Sequence, residues 1–261
     1  MKVGSIRLVK DAKLRYTLKL EKGKMYTPTQ LVTHKEFGAD VRKCLPVFVI
    51  FWIPVIGMWI SLPMVLLFPH QTLSRQFWTD KQRTLALNRV LEHRAKLFPS
   101  LSLNVMNAIE HSQADSKLSQ LSCDILEKIG QGDLLKEEES HILRRIFVEA
   151  KTLHPKALTS NHLKDLSFST SSYDLRNHAI YIANVDRSLR HFGIDAEDMY
   201  TTDIIAHQRG CWLDSTDQKR SLTYIQQWLD FSKGFKSKEA ELGYLLHLPL
   251  FMRNNTSTET K

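Results

Sequence analysis

The chain has 261 residues, 43% hydrophobic and 25% charged, with only 10 Gly and 8 Pro; this suits one folded body plus one accessory segment and excludes a collagenous, low-complexity or loop-rich all-β design. The formal charge of +8 raises nucleic-acid binding, but it is lopsided: residues 1–43 hold eleven Lys and Arg against four acids, net +7, whereas residues 69–261 hold 25 against 24, net +1. A near-neutral body lacks the broad positive field of a DNA binder, and three cysteines, Cys44, Cys123 and Cys211, odd in number and far apart, read as free thiols in a reducing compartment.

The basic arm, residues 1–43, lies beside an apolar segment, where attraction to anionic lipid headgroups is the simplest account of its charge. Its first 20 residues have Asp11 as their one acid, the composition of a presequence tail and equally of a juxtamembrane helix resting on lipid. From Cys44 to Phe68 the chain reads CLPVFVIFWIPVIGMWISLPMVLLF, 25 residues without a charged side chain. At about 1.5 Å rise per residue a bilayer core of roughly 30 Å needs about 20 residues, so the segment predicts one transmembrane helix that crosses with some tilt. Leu45 and Phe68 stand at its two ends. Pro46, Pro54, Pro63 and Gly57 are its kink positions, with the bend expected near Pro54. Trp52 and Trp59 are expected to touch lipid or packed neighbours rather than form a ligand cage. Basic residues flank both ends in similar number, so charge leaves the orientation open.

Thr79 and Gln82 then predict a capped helix with Leu87, Val90, Leu91 and Leu97 inward, up to Pro99. A helix carrying Leu103, Met106 and Ile109 follows, then one carrying Leu118, Leu121, Ile125 and Ile129 and closed by Gly130. Glu137, Glu138 and Glu139 read as a solvated helix start that complements the dipole, not as catalytic carboxylates. Ile142, Leu143, Ile146, Phe147, Ala150 and Leu153 share the next face, before Pro155. The Ser- and Thr-rich stretch 158–172 predicts a loop. Residues 174–192 put Leu175, Ala179, Ile182, Val185, Leu189 and Phe192 on one stripe, with Gly193 as the stop. A short helix ends at Gly210, Ser215 is the cap candidate for a helix carrying Leu222, Ile225, Trp228 and Leu229, and a last helix runs through AELGYLLHL. The fold class is all-α: arm 1–43, transmembrane helix 44–68, helical domain 69–252 and disordered tail 253–261.

No P-loop, GxSxG elbow, HExxH or EF-hand calcium loop occurs, so no catalytic residue and no cofactor are assigned. Of eleven His, none pairs with another His or Cys at ligand spacing inside one predicted element. His207 and Cys211 come nearest, across a helix end, and no metal site is assigned.

LFPHQTLSRQFWTDKQ after the apolar segment, HQRGCWLDSTDQKRSLTYIQQWLDFS and KEAELGYLLH resemble the LETM family, named for a leucine zipper, EF-hands and a transmembrane segment, in its short form without EF-hands or zipper. The similarity runs from Ser5 to His247. It implies residence in the mitochondrial inner membrane and a matrix-facing helical domain that is similar in architecture to 14-3-3 proteins and associates with mitochondrial ribosomes. It also implies a part in cation homeostasis and cristae shape. Carried to residues, Arg209 in HQRGCW and Lys219 with Arg220 in the following turn are the expected polar contacts with a partner. The competing function is cation–proton exchange, proposed for the family's longer members. A lone span without Asp, Glu, Lys, Arg or His has no charge relay, so exchange would require a homo-oligomer with carbonyls freed by Pro46, Pro54 and Pro63.

Overall fold

The computed structural model describes residues 2–17, 24–53, 56–67, 78–166, 172–194, 198–214 and 217–253. Every regular element among them is helical. The chain divides into two compact units, residues 1–87 and 88–261.

The first unit holds α1 (Lys2–Thr17), α2 (Pro28–Phe51) and α3 (Ile56–Leu67), and α4 (Asp80–Ala95) begins in it. α2 opens with a reciprocal cap: the Thr27 N–H donates to Gln30 Oε1 at 3.0 Å and the Gln30 N–H to Thr27 Oγ1 at 3.3 Å. Pro28 takes the first helical position, where no N–H is needed. Thr79 and Gln82 exchange the same two bonds, at 3.0 and 3.3 Å, to open α4 as the sequence predicts. α1 packs against α2, with Arg15 meeting the His34 ring.

The apolar segment is two helices, not the single helix over 44–68 that its length predicts. α2 stops at Phe51 and α3 starts at Ile56, and no helix among the described residues is long and apolar enough to cross a membrane. Pro54 accounts for the break, since it has no N–H to offer the Ile50 carbonyl four residues back. The Ile53 N–H takes that carbonyl instead, at 3.0 Å in a tighter turn, and the Gly57 N–H donates to the Ile53 carbonyl at 2.9 Å. α3 then packs back on α2. Gly57 permits this approach, because a Cβ there would stand 2.2 Å from the Ile50 carbonyl oxygen and 2.8 Å from that of Phe51. Pro54 and Phe68 themselves lie outside the described residues. Leu45, Pro46, Trp52, Trp59 and Pro63 are exposed, whereas Gly57 and Ser61 are buried.

The second unit contains α5 (Phe98–Glu110), α6 (Ser116–Gln131), α7 (Glu137–Glu149), a 3-10 turn (Lys151–Leu153), α8 (Ser160–Leu166), α9 (Ser172–Phe192), α10 (Met199–Gln208), α11 (Gln218–Phe231) and α12 (Lys238–Phe251). α12 is apolar all round because it is surrounded: Leu242 through Leu248 are buried, and it packs on α9, α7, α5 and the 3-10 turn. Gly243 sets the closest approach, since a Cβ there would lie 2.5 Å from the Leu153 carbonyl oxygen.

The stripes of α7 and α9 fall where spacing puts them, with Leu143, Ile146, Phe147, Ala150, Leu153, Leu175, Ala179, Ile182, Val185 and Leu189 buried. Phe192, the last residue of α9, is exposed. In α5 the buried stripe is Leu101, Val105 and Ile109, and Leu103 faces out. α6 runs through Gly130 to Gln131, and Gly132, at φ +112°, closes it; the left-handed position past a helix end suits only glycine. Residues 160–166 are helical where Ser and Thr content predicts a loop, because Thr159 acts as a cap and its hydroxyl accepts from the His162 N–H at 3.4 Å. Asp217, accepting from the Arg220 N–H, caps α11. Ser215, the predicted cap, and residues 254–261 of the predicted tail lie outside the described residues.

Candidate functional site

The HQRGCW segment ends α10 and continues into the turn that leads toward α11. Arg209 follows the last residue of α10 and is fully buried. Its Nε donates to Asp186 Oδ1 at 3.1 Å, Nη2 to the same oxygen at 2.5 Å and Nη1 to the Ile205 carbonyl at 2.9 Å. Asp186, 1% exposed, receives a further bond at Oδ2 from Trp228 Nε1 at 2.9 Å. The guanidinium carbon sits 5.6 Å from the centroid of the Trp228 ring, within cation–π reach. The Tyr224 hydroxyl donates to the Arg209 carbonyl at 2.8 Å. One carboxylate from α9, one guanidinium from the end of α10, and an indole and a phenol from α11 therefore form a single buried network.

Arg209 is thus committed inside the fold and is not placed to meet a partner at the surface. A buried charge remains tolerable only when paired and hydrogen-bonded, and here both partners are. The sequence carried a signal for it. Asp186 sits one turn beyond Ile182, on the apolar stripe of its own helix, and a carboxylate on a core face needs a cation.

The rest of the turn is equally fixed. Gly210 adopts φ +95°, and a Cβ there would come 3.0 Å from Pro249 Cβ of α12. Cys211 is buried; its thiol points to the Trp212 carbonyl at 3.5 Å, and burial pushes its pKa up to about 12, which makes it unreactive. The Leu213 N–H donates to Asn88 Oδ1 at 3.0 Å, and Asn88 Nδ2 returns a bond to the Leu213 carbonyl at 2.8 Å. No group of three or more His, Cys, Asp or Glu able to hold a metal occurs among the described residues. Lys219 is exposed and Arg220 half-buried on the first turn of α11. Cations oppose the helix dipole at that end, so the Asp217 carboxylate at the cap offsets their cost.

Two further groups carry no signature in local spacing. His162 of α8 and His247 of α12 are buried with Nε2 atoms 2.6 Å apart, and His247 Nδ1 lies 2.7 Å from the Gly243 carbonyl. A carbonyl only accepts, so His247 carries its proton on Nδ1 and its bare Nε2 accepts from His162 Nε2–H. Burial holds both rings neutral, lowering His162 to about 4 and His247 to about 3. Phe147 and Phe251 line His247. Three arginines close helix ends. Arg253 Nη2 donates to the Ile129 and Gly130 carbonyls of α6 at 2.7 and 2.9 Å. Arg190 reaches Leu229 O and Ser232 Oγ beyond α11, where Arg144 holds the Lys233 carbonyl. Each puts a positive charge on the negative end of a dipole.

An all-helical body locked by a buried arginine–aspartate network at its RGCW turn, with an apolar helix pair earlier in the chain, defines the class of molecule. The chain belongs to the LETM1-like, RBD family, whose model matches residues 30–251. It is 27% identical over 230 residues to LETM1 domain-containing protein 1 of Homo sapiens, covering 85% of this chain and 63% of that protein. The protein of the same name from Xenopus tropicalis is 27% identical over 233 residues, covering 85% and 64%, and that from Bos taurus 25% identical over 222 residues, covering 82% and 61%. The chain thus spans less than two thirds of the length of these relatives. No solved structure matches it.

Proposed function

We propose that this chain is a membrane-anchored helical adaptor of the mitochondrial inner membrane, held in the bilayer by residues 44–68, whose helical body docks the mitochondrial ribosome on the matrix side. The observation that carries the anchor is a run of exposed apolar side chains: Leu45, Val49, Phe51, Trp52, Ile53, Trp59 and Ile60 all face outward. Soluble proteins rarely leave such a run uncovered. The net charge of +7 on residues 1–43 adds attraction to anionic headgroups. Docking on the ribosome rests on family membership and on Lys219 and Arg220, cations suited to phosphate. An exchanger is disfavoured, since residues 44–68 contain no Asp, Glu, Lys, Arg or His.

Extraction at high pH tests the anchor: the chain should stay in the membrane pellet, and release would remove the foundation of the proposal. Co-sedimentation of detergent-solubilised full-length chain with mitochondrial ribosomes tests the docking. Replacing Lys219 and Arg220 by Ala should weaken it, and undiminished sedimentation would assign the contact elsewhere.

A further inference from the structure

We infer that the turn between α11 and α12, together with the end of α9 beside it, is a docking surface for single-stranded nucleic acid, separate from Lys219 and Arg220 and not dependent on ribosome docking. The body is near neutral as a whole, yet its cations are unevenly spread. Residues 232–238 read SKGFKSK, three lysines without an acid, and residues 187–192 read RSLRHF, two arginines and a histidine without one. Lys219 and Arg220 stand on the first turn of α11 and this surface lies past its last; across 14 residues the helix holds the two apart by about 20 Å.

The turn is fixed from beneath. Arg144 of α7 donates to the Lys233 carbonyl, and Arg190 of α9 donates to the Leu229 carbonyl at 3.3 Å and to Ser232 Oγ at 2.7 Å. The Phe235 ring packs on Tyr244 with centroids 5.1 Å apart, and the Ser237 hydroxyl accepts from the Ala240 N–H to open α12. Lys233, Lys236 and Lys238 remain exposed on this fixed backbone. Asp230 pairs with Lys233, Glu241 with Arg187 and Glu239 with Arg176; among the described residues no carboxylate pairs with Lys236, Lys238 or Arg190. A fixed cluster of cations with charge to spare suits a polyanion.

The neighbouring rings select the polyanion. His191 and Phe192 directly follow Arg190, and both are exposed, with ring centroids 4.6 Å apart. Cations beside solvent-facing rings suit a single strand, whose phosphates meet Lys and Arg while its unstacked bases lie on the rings. A membrane surface would call for apolar side chains at the tip of the turn. The large apolar residue there, Phe235, is instead half-buried against Tyr244.

The test uses full-length chain in neutral detergent, with Lys10, Lys13, Lys19 and Lys22 replaced by Gln so that the arm does not mask the site. It is titrated across a salt series into a fluorescent oligouridine of about 20 nucleotides, a length that covers an ordinary single-strand site. Lys233→Gln, Lys236→Gln and Lys238→Gln together should weaken binding at least tenfold at about 0.1 M salt and flatten the slope of log affinity against log salt by about 2. Phe192→Ala should weaken it about fivefold or more and leave that slope unchanged, since it removes a stacking face and no charge. Photocross-linking with 4-thiouridine in the strand, followed by trypsin and mass spectrometry, should mark the peptide that begins at His191. Undiminished affinity in the triple variant, or cross-links confined to residues 1–43, overturns the inference. So does a triple variant that keeps its RNA affinity but binds vesicles of phosphatidylcholine and cardiolipin less tightly, which would give the turn to a membrane. No ribosome enters the measurement, so failure here and failure of ribosome co-sedimentation are read separately.

Discussion

Asp186 accepts two bonds from Arg209 and one from Trp228, so cutting one partner leaves a charge or an indole N–H stranded in the core. Asp186→Asn or Arg209→Met should each cost about 3–5 kcal/mol in urea unfolding. The double variant Asp186→Leu with Arg209→Met should recover part of that, because it strands no charge. Lys219→Ala should change stability by less than about 0.5 kcal/mol, the response of an exposed residue. The histidine pair gives a pH signature. Both rings have folded pKa values, about 4 and about 3, below the roughly 6.5 of an exposed His, so the unfolded chain takes up protons first. Their contribution is full above about pH 6.5 and falls as pH drops toward 4, with a limiting slope of about 2.7 kcal/mol per pH unit for two protons. Thermal melts across this range should show that slope flattened in a His162→Leu, His247→Leu double variant. An unchanged profile would assign the acid sensitivity to other groups.

Among the elements, long amphipathic helices were legible and short or crowded ones were not. α7 and α9 each present a stripe at steps of three and four, so periodicity alone located them. α8 was hidden because seven residues make two turns, and its Ser- and Thr-rich sequence serves a cap instead of a loop. Sequence alone closes α6 at Gly130, two residues before the glycine that ends it, since glycine type does not reveal which glycine takes a positive φ. These cases give opposite expectations for one substitution. Gly130→Ala lies within a helix with nothing nearer than Arg253 at 4.0 Å and should stabilise by up to about 1 kcal/mol. Gly243→Ala drives a methyl to within 2.5 Å of the Leu153 carbonyl and should cost about 1–3 kcal/mol in the same denaturation assay. The break in the apolar segment was legible as a bend near Pro54; that α3 folds back was not, because it depends on Gly57 meeting carbonyls seven and six residues earlier. In the candidate site the sequence pointed to Arg209 but not to its burial, since its partner Asp186 lies 23 residues away.

For the molecule as a whole, the charge asymmetry separates two modes of attachment. Binding of the full-length chain to anionic vesicles should weaken as salt rises toward 0.5 M, where screening acts within about 5 Å. Replacing Lys10, Lys13, Lys19 and Lys22 by Gln should remove most of that salt dependence, and its persistence would place the attraction outside the arm. The placement of Arg253 bears on how the protein is made. Its guanidinium closes α6 at Ile129 across a separation of 124 residues, and His247 meets His162 across 85. The body therefore lacks several of its internal ties until its last described residue has been synthesised. Residues 44–67 emerge nearly two hundred residues earlier, when the body has no finished fold. Synthesis thus exposes the apolar segment before the folded body is complete, so its outward apolar side chains must be covered during an interval in which the body cannot yet do it.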